Sequence, residues 1–388
     1  MLIEPQCWGL EHASFNAALI DTVLLAYPKE QLVFFGEESH LTSVRRILDR
    51  YDSDEVGRVS WRDISIPKRG DTGWLRFIRE WREFGSFLRE VQKGDYQHFM
   101  FTSITNTGIL VLKIKVYYRK FPFPIITVLH GMLHTIVGRW PHKPWNWPLN
   151  IRFVLRFFQS DVLRYLVLGE SIYRSVAEVQ PNQISNFKSL DLPNFEYNLY
   201  SDKVELQKGK PIFGYIGTGN KTKGIGAFAK IAQECIGLKK DVVFLLVGYL
   251  SSWRDDAAYS FVSGISEKQL TTDEFIQRGL SLTYSVNTSN PDFYRFGGCS
   301  SFIDALFFGK PGIYLRNRYI EYYFDQMGDI GYLCDSIDEM ICIIKSIIIE
   351  FPSERYIRQV ENIEKGRLIL TPKYLAPKLK EILEESQN

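Results

Sequence analysis

Short apolar runs alternate with longer amphipathic segments through the first half of the chain. The short, continuously apolar runs predict buried strands, and the segments in which apolar residues recur with helical spacing predict helices. Strands are predicted at 2–5, 31–36, 58–64, 98–102, 124–131 and 165–171, and helices at 15–27, 43–50, 74–92 and 108–118. Because strands that are apolar throughout and alternate with helices are typical of a parallel sheet covered on both faces, this half predicts an α/β fold.

The pattern breaks between residues 180 and 209 and then starts again. This stretch is polar, contains Pro181 and Pro193, and lacks sustained periodicity, so it predicts a domain boundary. Beyond it, strands at 211–216 and 242–248 flank a helix at 225–236. Since 388 residues exceed one comfortable core, we expect a first domain at 1–190, a linker at 191–209 and a second domain at 210–370.

Polar residues stand at the ends of two predicted strands, where the ligands of parallel sheets collect. Glu11 and His12 follow the first strand, and His130 ends the strand at 124–131, with His134 nearby. Each histidine is compatible with a loop or cap residue and also with a group placed against a reacting sugar or hydroxyl. Glu11, His12 and His130 are the candidate catalytic residues.

Residues 217–224 combine glycines with Lys221 and Lys223 in a predicted loop between a strand and a helix. Glycines allow a ligand to approach the backbone closely, and the lysines supply positive charge for a diphosphate. The spacing excludes a Walker-type P-loop, because no Gly-Lys-Ser/Thr follows the first glycine at the required interval. The segment therefore suits a diphosphate leaving group that is bound by a loop other than a Walker-type P-loop.

A second glycine-bearing segment lies at 291–311. Gly297 and Gly298 precede a predicted short helix that carries Asp304 and stops at Gly309. Amides in the first turn of such a helix attract phosphate. An acid about one turn later is positioned to hold a ribose hydroxyl, so the segment is a candidate nucleotide site.

Composition excludes several classes of protein. The formal net charge of +2, from 47 basic and 45 acidic residues, gives no sign of a nucleic-acid binder. Five scattered cysteines without metal-ligand spacing indicate a reducing compartment and no disulfide framework. The start at Met1 lacks the pattern of a signal peptide, and no apolar run approaches the roughly 20 residues that cross a bilayer. We expect a cytoplasmic protein.

Two segments, 113–123 and 139–158, interleave cations with large aromatic residues. Their members are Lys113, Lys115, Tyr117, Tyr118, Arg119, Lys120, Phe121, Phe123, Arg139, Trp140, His142, Lys143, Trp145, Trp147, Arg152, Phe153, Arg156, Phe157 and Phe158. One interpretation is a surface that meets anionic lipid headgroups at the inner face of the cytoplasmic membrane. The other is a set of helices whose rings pack into the domain.

In the second half the chain resembles the donor domain of GT-B glycosyltransferases, most closely the GT4-like group. The resemblance rests on the following positions: Gly217, Lys223, Gly224, Gly248, the stretch 272–284, Asp304-Ala305-Leu306 and Gly309-Lys310-Pro311. Lys223 stands at the family's lysine, Thr218 replaces its usual arginine, and Asp304 replaces the glutamate that holds the ribose. Phe296 stands where the family has the first of its two glutamates, beside the transferred sugar.

This resemblance implies two Rossmann-like domains that face each other across a cleft. It implies a UDP- or GDP-sugar donor in the second domain, a glycan or lipid-linked acceptor in the first, and no cofactor or metal. A final helix within 371–388 is expected to pack back on the first domain. The donor-binding residues it implies are Gly217, Thr218, Lys221, Lys223, Gly248, Tyr284, Gly297, Gly298, Cys299, Ser300 and Asp304.

Two alternatives stay open. Phe296 and Thr218 are compatible with a degenerate GT-B scaffold that binds a nucleotide sugar or a partner without turnover. A GT-B-shaped epimerase or phosphorylase is the other. A phosphorylase of the cofactor-dependent type requires a reactive lysine in an apolar pocket, and the sequence singles none out.

Overall fold

The computed structural model describes residues 1–51, 56–68, 70–94, 96–118, 121, 123–157, 160–195, 211–238, 242–251 and 257–385. The chain forms two compact units. The first contains Met1–Phe195, Phe296–Gly298 and Leu370–Asn388, and the second contains Glu196–Arg295 and Cys299–Ile369. Residues 196–210, which include most of the predicted linker, lie outside the described part.

The described residues of the first unit form a seven-stranded sheet in the order β3-β2-β1-β4-β5-β6-β7, and every pair is parallel. The strands are β1 (Leu2–Ile3), β2 (Leu32–Gly36), β3 (Val59–Asp63), β4 (Phe99–Phe101), β5 (Ile125–Val128), β6 (Leu163–Leu168) and β7 (Phe187–Leu190). The helices are α1 (Ala13–Ala26), α2 (Glu38–Arg50), α3 (Gly73–Lys93), α4 (Asn106–Tyr117), α5 (Ile151–Arg156) and α6 (Glu170–Val179). The predicted parallel α/β arrangement of this half is confirmed.

Strand β7 lies in the stretch where the sequence predicted no regular structure. It pairs with β6 at the edge of the sheet, and only Phe187 and Leu190 of its four residues are buried. An edge strand this short carries too little apolar pattern to stand out from its polar surroundings. Strand β7 is therefore an additional strand of this sheet that the sequence did not predict.

The final helix, α13 (Pro372–Glu385), belongs to the first unit. Its Lys380 ammonium lies 5.8 Å from the ring centroid of Tyr27, the C-cap of α1. Its Glu385 accepts a hydrogen bond of 2.5 Å from Lys188 on β7. Helix α13 thus covers part of the first sheet next to α1.

The described residues of the second unit form a five-stranded parallel sheet in the order β12-β11-β10-β8-β9. Its strands are β8 (Ile212–Gly219), β9 (Val243–Leu250), β10 (Tyr284–Asn287), β11 (Gly312–Leu315) and β12 (Gly331–Cys334). Its helices are α7 (Ile225–Cys235), α8 (Thr272–Ser281), α9 (Ser300–Phe307), α10 (Arg318–Met327), α11 (Ile337–Ile349) and α12 (Ser353–Gly366). Rings of Phe213, Phe244 and Tyr284 stack along the core, which fixes the three strands that carry them.

No helix in the described ranges is both long enough and apolar enough to cross a membrane. All five cysteines are thiols, and none forms a disulfide.

Candidate functional site

Strand β8 continues further than the sequence predicted. Gly217, Thr218 and Gly219 pair with Gly248, Tyr249 and Leu250 of β9. The prediction that the glycine-rich loop begins at Gly217 is therefore wrong, and the turn comprises only Asn220 to Gly224. The apolar run stops at Ile216, whereas the backbone ladder, which needs no apolar side chains, runs on to Gly219.

Backbone packing and conformation explain the glycines near the ends of these two strands. A Cβ at Gly248 would lie 2.0 Å from the carbonyl oxygen of Gly217, so only glycine fits there. Gly217 has φ of 99°, which L side chains rarely adopt. A Cβ at Gly217 would lie 3.8 Å from Cβ of Ser301, so the end of β8 approaches the first turn of α9 closely.

The turn after β8 holds the main chain of Lys223 from both sides. Asn220 Oδ1 accepts a hydrogen bond of 2.8 Å from the Lys223 N–H. The Lys223 carbonyl accepts bonds from Tyr215 Oη at 2.9 Å and from Ser289 Oγ at 3.2 Å. In the described structure the Lys223 side chain has no hydrogen bond or ion pair, so a fixed backbone presents an uncommitted ammonium group.

Gly224 closes the turn and begins α7. It has φ of 77°, and a Cβ there would lie 2.1 Å from the carbonyl oxygen of Thr288. Thr288 Oγ1 in turn donates a bond of 2.8 Å to the Gly224 carbonyl. The start of α7 is thereby joined to the segment that follows β10.

The sequence interpretation missed the polar residues after β10. Asn287 Nδ2 donates to Ser301 Oγ and to Cys299 Sγ, both at 3.3 Å, and so connects the end of β10 to the start of α9. Thr288 and Ser289 reach the turn after β8. The available signal was a run of polar residues, 287–290, directly after a buried strand.

Helix α9 begins at the same edge of the second sheet. Cys299 is its buried N-cap and makes no side-chain capping bond, as is also true of Gly224 at the start of α7. Ser300 is exposed, Asp304 is half-buried one turn later, and Gly309 ends the segment with φ of 69°. Because β8 and β10 are neighbours, the N-termini of α7 and α9 direct positive dipole ends to one place.

Other residues of the predicted donor set lie elsewhere. Tyr284 begins β10, at the opposite end of the strand from Asn287, and its ring is fully buried against Phe213. The structure assigns Tyr284 to the core rather than to a ligand site. Gly297 and Gly298 group with the first unit, whereas Cys299 groups with the second. Phe296 is only 2% exposed.

In the first unit the structure brings His12 and His130 together. Their ring centroids lie 4.0 Å apart in an edge-to-face arrangement, and the His130 ring also meets Phe15 at 5.4 Å. His12 is the N-cap of α1, and His130 follows β5. Glu11 is exposed beside His12, and its carboxylate accepts a bond of 3.2 Å from the Trp8 N–H. Within the described ranges, no group of three or more His, Cys, Asp or Glu side chains is arranged to hold a metal ion.

His12 adopts an unusual backbone conformation. Its φ of 51° is the single positive value at a non-glycine residue among the residues described. Such conformations cost about 1 kcal/mol or more and persist only where surrounding contacts impose them. The loop before α1 is therefore held in place by its neighbours.

Two lysines in the described part of the chain are buried. Lys113 is 1% exposed and donates to the carbonyls of Leu155 at 3.2 Å and Phe157 at 2.9 Å. Lys310 precedes β11. Burial lowers the pKa of each to about 8. The sequence singled out neither lysine, because the burial of these long side chains depends on tertiary contacts.

The two aromatic and basic segments are divided between core and surface. The burial of Lys113 removes it from the predicted lipid-facing set, which is a correction. Tyr117, Tyr118, Trp140, Trp145, Trp147 and Phe157 are exposed. Arg119, Lys120 and Phe158 lie outside the described residues. The rings thus do not all pack into the domain.

No protein-family model matches the chain, and no curated protein has a significantly similar sequence. Solved structures match it over nearly its whole length. Anabaena HepE, in a complex with UDP and glucose, matches with a TM-score of 0.68 and 15% identity over 99% of each chain. A glycosyltransferase from Rickettsia africae matches with a TM-score of 0.66 and 10% identity over 99% of this chain and 97% of its own. WaaG, a glycosyltransferase involved in lipopolysaccharide biosynthesis, matches with a TM-score of 0.59 and 11% identity over 99% of each chain.

These matches, together with the two parallel α/β units of this chain, identify the architecture. At identities of 10% to 15% they establish the fold alone. The chain has the GT-B fold of these glycosyltransferases, with two Rossmann-like domains.

Proposed function

We propose that this protein is a GT4-like glycosyltransferase that moves a sugar from a UDP- or GDP-sugar to a glycan or lipid-linked acceptor. The observation that carries the proposal is the junction of β8, α7 and α9. There the fixed backbone of Lys223 and two helix N-termini without side-chain caps lie at one edge of the sheet. A fold shared with HepE, which has been solved with UDP and with UDP-glucose, supports a nucleotide ligand.

The chemistry follows from the charge that appears as the sugar bond breaks. The leaving nucleoside diphosphate gains negative charge, and Lys223, with Lys221, offsets it together with the first amides of α9. Asp304 holds the ribose in this proposal. Because cations and amides of the chain balance the diphosphate, the proposed reaction uses no metal ion and no cofactor.

The acceptor side of the proposal uses the first domain. His12, Glu11 and His130 are the candidate groups that meet the acceptor hydroxyl or the transferred sugar. The 4.0 Å contact of the two imidazoles supports a joint role, because it places both rings within reach of one acceptor hydroxyl. The proposal leaves the stereochemical outcome open, because Phe296 replaces the carboxylate that retaining relatives have.

We further propose that the enzyme works at the inner face of the cytoplasmic membrane, in the synthesis of a surface polysaccharide. Trp145 is 63% exposed, and Trp140 and Trp147 lie exposed near it. The Arg152 guanidinium lies 5.3 Å from the Trp140 ring, so cations stand beside the rings. This combination suits a surface that touches anionic lipid, and the small net charge of the chain argues against nucleic acid as the partner.

The test is a donor screen on the full chain. Thermal shifts with UDP-, GDP-, ADP- and dTDP-sugars identify the base, and release of the nucleoside diphosphate measures hydrolysis or transfer. We expect one base to stabilise the protein, with turnover when acceptor is added. Failure of all four donors to bind overturns the proposal.

A second candidate is favoured by Phe296. Its buried ring stands where relatives have a carboxylate, and this is compatible with a scaffold that binds the donor without turnover. Binding without hydrolysis or transfer to any acceptor supports the scaffold. Interconversion of the nucleotide sugars supports an epimerase, and phosphate-dependent cleavage supports a phosphorylase.

A further inference from the structure

A buried carboxylate lies directly beneath the loop that carries Glu11 and His12. Glu4, immediately after β1, has no exposed surface. Its Oε1 accepts from the backbone N–H groups of Gln6 at 2.9 Å and Cys7 at 3.3 Å, and from Ser103 Oγ. Its Oε2 accepts from Asn16 Nδ2 at 3.1 Å and Thr102 Oγ1 at 2.9 Å.

This arrangement keeps Glu4 ionised. Burial acts to raise its pKa, whereas the hydrogen bonds from Ser103 and Asn16 act to lower it, and the pKa of Glu4 lies below its usual value. An ionised acceptor forms stronger hydrogen bonds than a neutral one. Hydrogen bonds to an ionised carboxylate therefore connect the start of the loop to the sheet.

A second set of contacts holds the middle of the loop. The amide of Asn16 also meets His40 Nε2 at 2.8 Å, and His40 Nδ1 meets the Gly9 carbonyl at 3.0 Å. If the amide donates, Nε2 is the acceptor and Nδ1–H donates to Gly9, so His40 is neutral. Burial, the largest influence, lowers the pKa of His40, in keeping with a neutral ring. The Gly9 N–H donates to Ser39 Oγ at 3.0 Å.

We propose that Glu4 is a positioning residue that fixes the loop from Gln6 to His12 and so sets the placement of Glu11 and His12 for acceptor chemistry. The inference rests on the proposed function for its catalytic part. The strained φ of His12 is maintained because the preceding backbone is bonded to Glu4, to Ser39 and to His40. A carboxylate fixes the loop conformation more specifically than an apolar core residue does, because hydrogen bonds to its two oxygens are directional and so fix where the donors lie.

The chain offers a matched control for a purely structural effect. Glu80 on α3 is 2% exposed, lies in the same domain, and accepts hydrogen bonds from Thr105, Thr107 and Arg76. These partners lie in α3 and at the start of α4, and none of them belongs to the loop from Gln6 to His12. Replacing either glutamate with glutamine removes one buried charge without changing the size of the side chain.

The experiment compares Glu4→Gln with Glu80→Gln in the full-length protein. Hydrogen exchange, resolved on peptides that cover residues 6–12, is expected to accelerate about tenfold in Glu4→Gln and to stay unchanged in Glu80→Gln. In transfer assays Glu4→Gln is expected to lower kcat about tenfold while the Kd of the nucleotide stays the same. Ser103→Ala, a milder change, is expected to move both readouts in the same direction by a smaller factor.

Unchanged exchange in both Glu4→Gln and Ser103→Ala overturns the proposal. So does an equal loss of kcat in Glu80→Gln, because the effect is then general destabilisation. If the wild-type protein transfers no sugar, the proposed function fails. The hydrogen-exchange data alone then support or overturn the inference that Glu4 fixes the loop. If Glu4→Gln does not fold, the comparison is made with Ser103→Ala.

Discussion

The phenolic hydroxyl of Tyr215 donates a hydrogen bond of 2.9 Å to the main-chain carbonyl of Lys223. Tyr215 is buried within β8, so a core residue fixes the direction in which the turn presents its lysine. The bond links the interior of the second sheet to the proposed diphosphate site.

Removing this hydroxyl is expected to loosen the turn without emptying the core. Tyr215→Phe should lower kcat/KM about fivefold to tenfold, since one neutral hydrogen bond contributes about 1 kcal/mol. The control is Tyr314→Phe, whose equally buried hydroxyl meets Ser285 Oγ at 3.2 Å. Equal losses in the two variants contradict a specific role for Tyr215.

Lys223 supplies the positive charge in the proposed reaction. Lys223→Ala is expected to reduce transfer about a hundredfold, because a group that stabilises developing charge contributes a few kcal/mol. The measurement is steady-state kinetics with the donor found in the screen. Lys230→Ala, an exposed lysine on the adjoining α7, should behave as wild type. Unaltered kinetics in Lys223→Ala rule out the phosphate assignment.

The paired imidazoles are expected to act together. His12→Gln and His130→Gln should each lower transfer about a hundredfold and leave donor affinity unchanged. The double variant should lose little more than either single one, because contacting groups are not additive. His98→Gln, at the amino end of β4, is the control histidine. Additive losses indicate that the two rings act separately.

The exposed tryptophans predict binding to anionic membranes. A triple substitution of Trp140, Trp145 and Trp147 to serine should abolish flotation with vesicles that contain phosphatidylglycerol. The control replaces Ile349, Ile357 and Leu368 of the second domain, which are also exposed. The membrane proposal is wrong if wild type and the tryptophan variant float equally well, or if neither protein floats.

The buried Lys113 predicts a dependence of stability on alkaline pH. Its pKa falls from 10.5 to about 8 on folding because burial disfavours the ammonium form. The unfolded chain therefore binds the proton more tightly than the folded chain does. The loss of folding stability caused by the buried ammonium is complete below about pH 8, and it disappears as the pH rises towards 10.5. Relative to wild type, Lys113→Met should lose up to about 3 kcal/mol of unfolding free energy across this window.

Denaturant unfolding of the first domain at several pH values measures that difference. Lys230→Met, which replaces an exposed lysine, should keep a constant difference from wild type. A pH-independent difference for Lys113→Met shows that its ammonium is not the titrating group. The comparison of variants cancels the opposing contribution of the buried tyrosines.

Local chemistry made much of the architecture predictable. The parallel sheet of the first half followed from apolar runs, because a strand covered on both faces needs apolar residues at successive positions. The helix that carries Asp304 was also predicted, since Gly309 provides a stop and Pro311 disfavours continuation. Glu4 was read only as part of a strand, because its significance depends on donors such as Thr102 that lie far away in sequence.

The sequence by itself determined the alternation of strands and helices and the lysine-bearing turn, since both depend on neighbours along the chain. Only the tertiary structure decided that β8 extends to Gly219, that Lys113 is buried, and that His12 meets His130. The physical reason is the same in each case. All three features depend on segments that the fold brings together: the strand ladder, the burial of a long side chain and the contact between two rings. A periodic pattern along the chain carries no information on which segments meet.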